Sequence, residues 1–155
     1  FISSLFSQWG GTVGDPENCI KMLQKDEAVI VFPEGARGIS KSFRKRYELQ
    51  RFGLGFMYMA LQTKSPVIPV GMVGFEESMI NFGNMDRVQK LSGFPAAPML
   101  LPFVFPTKVI INIGKPIYFS GDITREYQVQ EKVDEVKAEV KKLMNIGLEQ
   151  RKSIF

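Results

Sequence analysis

The sequence contains no histidine. This excludes serine–histidine and cysteine–histidine nucleophile pairs within the chain, and it removes a common ligand of zinc sites. Cys19 is the only cysteine, so no internal disulfide can form, which favours a reducing compartment. We expect Cys19 to be a packed helix residue and not a reactive thiol. Neither a Walker A loop nor a G-x-G-x-x-G fingerprint occurs. We therefore expect no metal site and no bound cofactor.

Long apolar runs are also missing. No stretch approaches the roughly 20 apolar residues that span a bilayer. The most apolar segment, residues 94–106, contains Pro95, Pro98 and Pro102, which prevent a regular helix. We interpret it either as an irregular part of the core or as a loop that dips into a membrane or lines an acyl chain. No secretory signal is visible, so membrane contact is expected to be peripheral or made by a segment upstream.

The net charge of +4 comes from one window of the chain. Residues 37–51 hold six basic residues against the single acid Glu48, and the remainder is close to neutral. Such a cluster commonly meets phosphate in a lipid headgroup, a nucleotide or a nucleic acid. A solvated loop is the plain alternative. Nucleic acid is disfavoured because no stacking platform or reading helix is recognisable. The candidate phosphate or membrane contacts are Lys41, Arg44, Lys45 and Arg46.

The first half of the chain predicts two strands around a helix. Residues 9–14 indicate a short strand running into a glycine-rich turn. Asp15 is typical of an N-cap, and Pro16 follows at the first helical position, so a helix is predicted to about Lys25. Residues 28–32 are continuously apolar, which is typical of a strand covered on both faces, and Pro33 ends it.

The second half continues the alternation of helices and strands. Helical spacing predicts a helix from Glu48 to about Gln62, and residues 66–70 and 109–113 are further apolar strands. A final helix capped by Thr124 carries one apolar stripe, which favours docking on the sheet, with a coiled-coil interface as the alternative. At 155 residues and 45% hydrophobic content, this is one domain. We predict an α/β fold with a mixed, mainly parallel sheet flanked by helices.

The turn at residues 32–38 has the composition of a ligand-binding loop. It follows the end of an apolar strand, where ligands collect in open α/β sheets. Gly35 and Gly38 allow a close backbone approach, and backbone N–H groups together with Arg37 would form a phosphate clamp. Glu34 could orient Arg37 or accept a hydrogen bond from a substrate hydroxyl. A plain tight turn with a surface arginine is the alternative.

Residues 31–38, Val-Phe-Pro-Glu-Gly-Ala-Arg-Gly, resemble the third conserved block of the glycerol-phosphate and lysophospholipid acyltransferase superfamily. Residues 67–70, Val-Ile-Pro-Val, are similar to its fourth block, at a fitting distance. Residues 51–56 and 113–117 resemble flanking features, so the resemblance runs from about Gly10 to Ile117. It implies transfer of a fatty acyl group from acyl-CoA or acyl carrier protein to a glycerolipid hydroxyl. The substrate-binding residues that it implies are Phe32, Pro33, Glu34, Gly35, Arg37 and Pro69.

Two family features have no counterpart here. The first block, His-x-x-x-x-Asp, supplies the general base and the carboxylate that orients it, and this chain has no histidine to match it. The resemblance therefore places the catalytic pair before Phe1, on a segment that the chain lacks. The second block often ends in an arginine for the acceptor phosphate, but residues 10–18 contain none. Arg37 and the basic window are then the candidates for that contact.

These expectations define a function and a rival. The chain is predicted to be the C-terminal, substrate-binding part of a membrane-associated glycerolipid acyltransferase on the cytoplasmic face, inactive as a fragment. The rival is a catalytically inactive acyltransferase-like domain that binds lipid or a protein partner. A histidine motif upstream of Phe1 favours the enzyme. Nucleic-acid binding is a third and weaker possibility, and the sequence leaves the oligomeric state open.

Overall fold

The computed structural model describes residues 15–39, 41–78, 81–84, 98–100 and 105–151. The first helix, α1, spans Pro16–Leu23 and begins as the sequence predicts. Asp15 is its N-cap, and the Oδ1 atom of this residue accepts a hydrogen bond from the backbone N–H of Glu17 at 3.1 Å. The helix packs against a later helix, α3 (Gly55–Thr63), and buries none of its residues fully.

Residues 28–32 correct one prediction. They form no strand within the described part of the chain, and Ile30 and Phe32 are 84% and 70% exposed. An apolar run is compatible with a strand, but a strand also needs a neighbour to pair with. None of the described strands pairs with residues 28–32. The strand predicted at residues 9–14 lies outside the described residues.

The predicted helix over residues 48–62 forms only in its second half. After a four-residue helix, α2 (Ala36–Ile39), and a short 3₁₀ turn (Phe43–Lys45), the chain enters α3 at Gly55–Thr63. Residues 48–53 are instead an irregular segment that bonds to the turn at Pro33. Tertiary hydrogen bonds therefore override the helical spacing of the apolar residues in that segment.

Two short strands form the best-defined sheet. Strand β1 (Val70–Val73) pairs antiparallel with β4 (Ile110–Ile113). The β1 strand starts later than the predicted residues 66–70, because Pro66 and Pro69 have no N–H to donate to a ladder. Val67 makes only an isolated bridge with Ile117.

A second pair of described strands is also antiparallel. Helix α4 (Phe75–Ser78) leads into β2 (Asn81–Asn84), which pairs antiparallel with β3 (Pro98–Leu100). Both ladders among the described residues are thus antiparallel, so these residues do not form the mainly parallel sheet that the sequence predicted. A parallel pair needs a long crossover connection, usually a helix, and the only helix described between β1 and β4 has four residues. The mixture of helices and strands itself agrees with the predicted α/β class.

The last helix, α5 (Glu126–Gln150), docks on the sheet as predicted. It starts two residues after Thr124, with Arg125 at its N-cap. Glycines permit its close approach to β1: a Cβ on Gly71 would lie 2.7 Å from the Cβ of Leu143, and one on Gly147 would lie 3.0 Å from Val73. The predicted stripe is confirmed, and its buried members are Val129, Val133, Val136, Leu143 and Gly147.

The core lies between α3 and α5. Phe52 and Met57 pack there against the first valines of the α5 stripe. The opposite face of the β1–β4 sheet is apolar and exposed, since Met72 is 38% and Ile113 is 71% accessible. Only one face of this sheet is covered by the described residues, and that is the face that meets α5.

Candidate functional site

The turn at residues 33–38 is held by its own backbone. The N–H of Gly35 donates to the carbonyl of Phe32 at 3.0 Å, and Gly35 has a φ of +58°, which favours glycine. The N–H of Gly38 donates in turn to the carbonyl of Gly35 at 3.1 Å. Two of the amides that the sequence assigned to a phosphate clamp thus bond within the turn itself.

The Glu34 carboxylate points at a neighbouring backbone segment. Its Oε1 atom accepts a hydrogen bond from the N–H of Gln50 at 2.5 Å, and the side chain is half-buried. The carboxylate also lies over Gly38, because a Cβ atom there would be 2.5 Å from Glu34 Oε2. Glu34 therefore connects two segments that are sixteen positions apart in sequence.

Two further hydrogen bonds join the same segments. The Nη2 atom of Arg37 donates to the carbonyl of Arg51 at 3.3 Å, and the N–H of Gly53 donates to the carbonyl of Pro33 at 2.8 Å. The Arg37 side chain is exposed, while Pro33 is half-buried. Residues 50–53, which we call the anchoring segment, thus fix both the Glu34 carboxylate and the Arg37 guanidinium. The role of this segment was not predicted, because the spacing of its apolar residues is that of a helix.

The other predicted substrate-binding residues lie apart from this connection. Phe32 is largely exposed just before the turn. Pro69 is fully buried next to strand β1, where its carbonyl accepts from the N–H of Gly114 at 2.8 Å. Its ring fills the space that a Cβ on Gly114 would need, at 2.8 Å. Its described contacts therefore belong to the sheet, whereas Glu34, Gly35 and Arg37 are brought together by the turn.

The basic run divides into internal and external members. Lys41 is internal: its side chain is 6% exposed, and its Nζ donates to Glu76 Oε1 at 2.7 Å and to the carbonyl of Glu48 at 2.8 Å. Arg44 and Lys45 are exposed on the 3₁₀ turn. Arg46 is also exposed, and its guanidinium lies over the Phe43 ring at 4.7 Å and 3.7 Å from a carboxylate oxygen of buried Glu77.

Tyr47 connects four parts of the fold and was not identified from the sequence. Its hydroxyl accepts from the N–H of Gly74 at 3.1 Å and from Nη1 of Arg151 at 3.0 Å. Its own N–H donates to Glu76 Oε2 at 2.8 Å, and its carbonyl accepts from Lys141 Nζ at 2.9 Å. Its φ of +65° is unusual for a tyrosine. The backbone is thus held in a costly conformation by its surroundings.

The charges around Tyr47 are partly buried. Burial raises the pKa of the Tyr47 hydroxyl, and the negative charge of Glu77 raises it further. Glu77 is 8% exposed and forms an ion pair with Arg151, whose side chain is 5% exposed. The sequence did hold one signal for this network. Glu76 and Glu77 closely follow an apolar strand, and acids that are buried there need basic or hydrogen-bonding partners.

Two kinds of feature are absent from the described residues. Within the described ranges, no helix combines the length and the apolar character that crossing a membrane requires. Nor do those ranges hold three or more histidine, cysteine, aspartate or glutamate side chains grouped for a metal ion.

Comparison with known proteins identifies a family match. Residues 11–73 match the family model described as Acyltransferase. The chain is 32% identical over 160 residues to uncharacterized proteins of Mycobacterium bovis and Mycobacterium tuberculosis, covering 94% of this chain and 45% of theirs. It is 27% identical over 136 residues to a Bos taurus protein named "DGAT1/2-independent enzyme synthesizing storage lipids", covering 86% of this chain and 40% of that protein. The chain thus spans less than half the length of these relatives. No solved structure matches it significantly.

Proposed function

We propose, on the premise that this chain belongs to the acyltransferase family through residues 11–73, that it is the acceptor-binding part of a glycerolipid acyltransferase. The reaction would move a fatty acyl group from acyl-CoA or acyl carrier protein to a hydroxyl of an acceptor such as a lysophospholipid. The bovine relative, named as an enzyme that synthesises storage lipids, supports a neutral glycerolipid as another acceptor of the same class.

The observation that carries the proposal is the anchored guanidinium of Arg37. It is exposed beside the turn, and its Nη2 atom donates a hydrogen bond to the carbonyl of Arg51. A guanidinium is planar and permanently charged, so it suits the oxygen atoms of a phosphate headgroup or of a polarised ester. Holding it by a backbone atom reduces the conformational entropy that binding would otherwise cost.

The chemistry needs a base that this chain does not contain. The acceptor hydroxyl attacks the thioester carbonyl, a C–O bond forms, the C–S bond breaks, and the hydroxyl proton passes to a base. A histidine positioned by an aspartate is the family's base, and this sequence contains no histidine. We therefore place the His-x-x-x-x-Asp motif upstream of Phe1 in the full-length protein. The mycobacterial relatives are longer than the matched region, which makes up 45% of their length.

Peripheral membrane contact on the cytoplasmic face is part of the proposal. Arg44 and Lys45 are exposed on the 3₁₀ turn, and Arg46 is exposed beside them. Each basic residue near an anionic surface contributes about 1 kcal/mol to binding. These residues are the proposed contacts with lipid phosphates, whereas Lys41 supports the same loop from inside through Glu76.

An acyltransferase assay on the full-length protein tests this function. A panel of lysolipids and diacylglycerol is offered with radiolabelled acyl-CoA and acyl carrier protein. Arg37→Ala should raise the acceptor KM about tenfold or more, the size of one lost charged hydrogen bond. Arg125→Ala, another exposed arginine, is the matched control and should leave the acceptor KM unchanged. Unchanged KM and kcat in Arg37→Ala would remove Arg37 from the site.

The rival function is an inactive domain that binds lipid or a partner. The missing histidine favours it, because no general base of the family type exists in this chain. It predicts that the full-length protein binds lysolipid vesicles but transfers no acyl group from any donor in the panel. A His-x-x-x-x-Asp motif in the natural upstream sequence would argue against it.

A further inference from the structure

We infer that Glu34 is a positioning residue, which orients Arg37 through the backbone of the anchoring segment and does not contact the substrate. The inference rests on the proposed function, since Arg37 is its acceptor-binding group. The sequence left two roles open for Glu34, orienting Arg37 or accepting a hydrogen bond from a substrate hydroxyl, and the inference selects the first. Glu34 is joined to the anchoring segment by the hydrogen bond from the N–H of Gln50 to Glu34 Oε1 at 2.5 Å.

The geometry gives this bond a direct route to Arg37. Gln50 and Arg51 are adjacent, so the bond that fixes the N–H of Gln50 restrains the backbone leading to the Arg51 carbonyl. That carbonyl accepts from Arg37 Nη2 at 3.3 Å. The N–H of Gly53 donates to the Pro33 carbonyl at 2.8 Å and closes the far end of the segment. Loss of the Glu34 contact would free the first of these ends while the last stays attached.

Gly38 leaves the space that the Glu34 carboxylate occupies. A methyl group at this position would lie 2.5 Å from Glu34 Oε2, closer than real Cβ contacts, and 3.1 Å from Glu34 Cβ. The glycine thus gives the carboxylate room to fold over α2 and reach Gln50. Gly35, in contrast, has no atom within 4 Å of an added Cβ, and its φ of +58° is what requires glycine there. The two glycines of the motif therefore serve different purposes.

The role of Glu34 can be separated from a role of its charge. Accepting an N–H needs only an oxygen, so glutamine in this position can keep the bond to Gln50. A general base, or a carboxylate that attracts a substrate cation, needs the negative charge and fails with glutamine. Glu34→Gln therefore separates the two roles: it stays close to wild type if Glu34 only accepts the N–H, and it is as impaired as Glu34→Ala if the negative charge is needed.

The test uses the full-length protein with the acyl donor and acceptor that give the highest activity in the panel above. Glu34→Ala should raise the acceptor KM about ten- to a hundredfold with a smaller change in kcat, the size expected when one charge-assisted hydrogen bond is lost. Glu34→Gln should restore the KM to within about threefold of wild type, well under a 1.4 kcal/mol effect. Glu131→Ala, which removes an exposed carboxylate on α5, serves as the control.

Gly38→Ala tests whether the Glu34 carboxylate needs the space that Gly38 leaves. It should raise KM as Glu34→Ala does, and the double variant should be no worse than Glu34→Ala alone, because the methyl group then has nothing to displace. Multiplying effects in the double variant would refute the coupling between Gly38 and Glu34.

Amide hydrogen exchange at Gln50 provides a readout that does not depend on activity. Protection should be present in wild type and Glu34→Gln and be lost in Glu34→Ala. Unchanged protection in Glu34→Ala, or a Glu34→Gln enzyme as impaired as Glu34→Ala while Gln50 stays protected, would overturn the inference. A wild-type protein without any acyl transfer would instead defeat the proposed function, and Gln50 exchange would still decide the positioning role.

Discussion

The close packing of α5 on strand β1 makes a quantitative prediction. In Gly71→Ala, the new Cβ would lie 2.7 Å from Leu143 Cβ, 2.7 Å from the Met144 nitrogen and 2.8 Å from the Leu143 carbonyl carbon. Two of these three atoms are backbone, so they cannot turn aside as the end of a flexible side chain could. The helix and the sheet would have to separate.

The magnitude follows from two opposing effects. Overpacking in a well-packed site costs about 1–3 kcal/mol. Replacing glycine by alanine also reduces the flexibility of the unfolded chain, which stabilises by about 0.4–1 kcal/mol. We therefore expect Gly71→Ala to lower the free energy of unfolding by about 1–2 kcal/mol, which corresponds to a Tm lower by about 2–8 °C in a protein of this size.

Gly55→Ala is the matched control. Gly55 is the first residue of α3, and an added Cβ there meets nothing within 4 Å. The same chemical change should then leave stability unchanged or raise it by up to about 1 kcal/mol. Urea unfolding followed by far-ultraviolet circular dichroism measures both variants. If Gly71→Ala were as stable as Gly55→Ala, the proposed contact between α5 and β1 would be wrong.

Two further predictions concern Tyr47 and the exposed basic turn. Tyr47→Phe removes the acceptor for the N–H of buried Gly74 and should cost about 1–3 kcal/mol of stability, whereas Tyr118→Phe, at a side chain 75% exposed, should cost little. Because the pKa of Tyr47 is raised in the fold, wild-type stability should be full below pH about 10 and fall as the pH rises toward the folded pKa, and Tyr47→Phe should lose that alkaline decline. Stability against pH by circular dichroism tests both statements, and an identical alkaline decline in Tyr47→Phe would contradict the second. Arg44→Ala/Lys45→Ala should weaken binding to vesicles containing anionic phospholipid by about 2 kcal/mol in sedimentation assays without lowering Tm, and unchanged binding would remove the turn from the membrane contact.

The residues of the turn that resembles the third family block do not all face the same way. The Phe-Pro-Glu-Gly-Ala-Arg-Gly turn had indicated a set of substrate-binding groups that act side by side. Its geometry separates them: Arg37 is exposed, Glu34 is half-buried against Gln50, and Gly35 closes the turn. A motif can therefore identify a family correctly while some of its residues act on the protein's own backbone.

The loop after the turn gives a similar lesson about charge. The sequence predicted that Lys41, Arg44, Lys45 and Arg46 contact phosphate or a membrane unless they are simply a solvated loop. In the structure, Lys41 and Arg46 have acidic neighbours in Glu76 and Glu77. Those acids lie about thirty positions away in sequence, so no local pattern could have connected them. Arg44, Lys45 and Arg46 remain exposed and form a candidate surface smaller than the whole window.

Local features of the fold were predictable because their causes are local. The capped start of α1 at Asp15, the β4 strand at residues 110–113 and the apolar stripe of α5 each follow from hydrogen-bonding groups or from periodicity within a few neighbouring residues. The family match over residues 11–73 likewise agrees with the resemblance carried by the turn and the Pro-flanked strand.

Strand pairing and the contacts between distant segments became clear only from the tertiary structure. The apolar run at residues 28–32 looked like a buried strand, yet strand formation depends on a neighbouring strand that the run itself does not specify. The antiparallel β1–β4 ladder, the irregular anchoring segment and the network at Tyr47 all join residues far apart in sequence. The sequence by itself determined which segments are apolar, capped or charged. Tertiary structure decided which of them meet, because hydrogen bonds and ion pairs between distant segments outweigh propensities of a few tenths of a kcal/mol per residue.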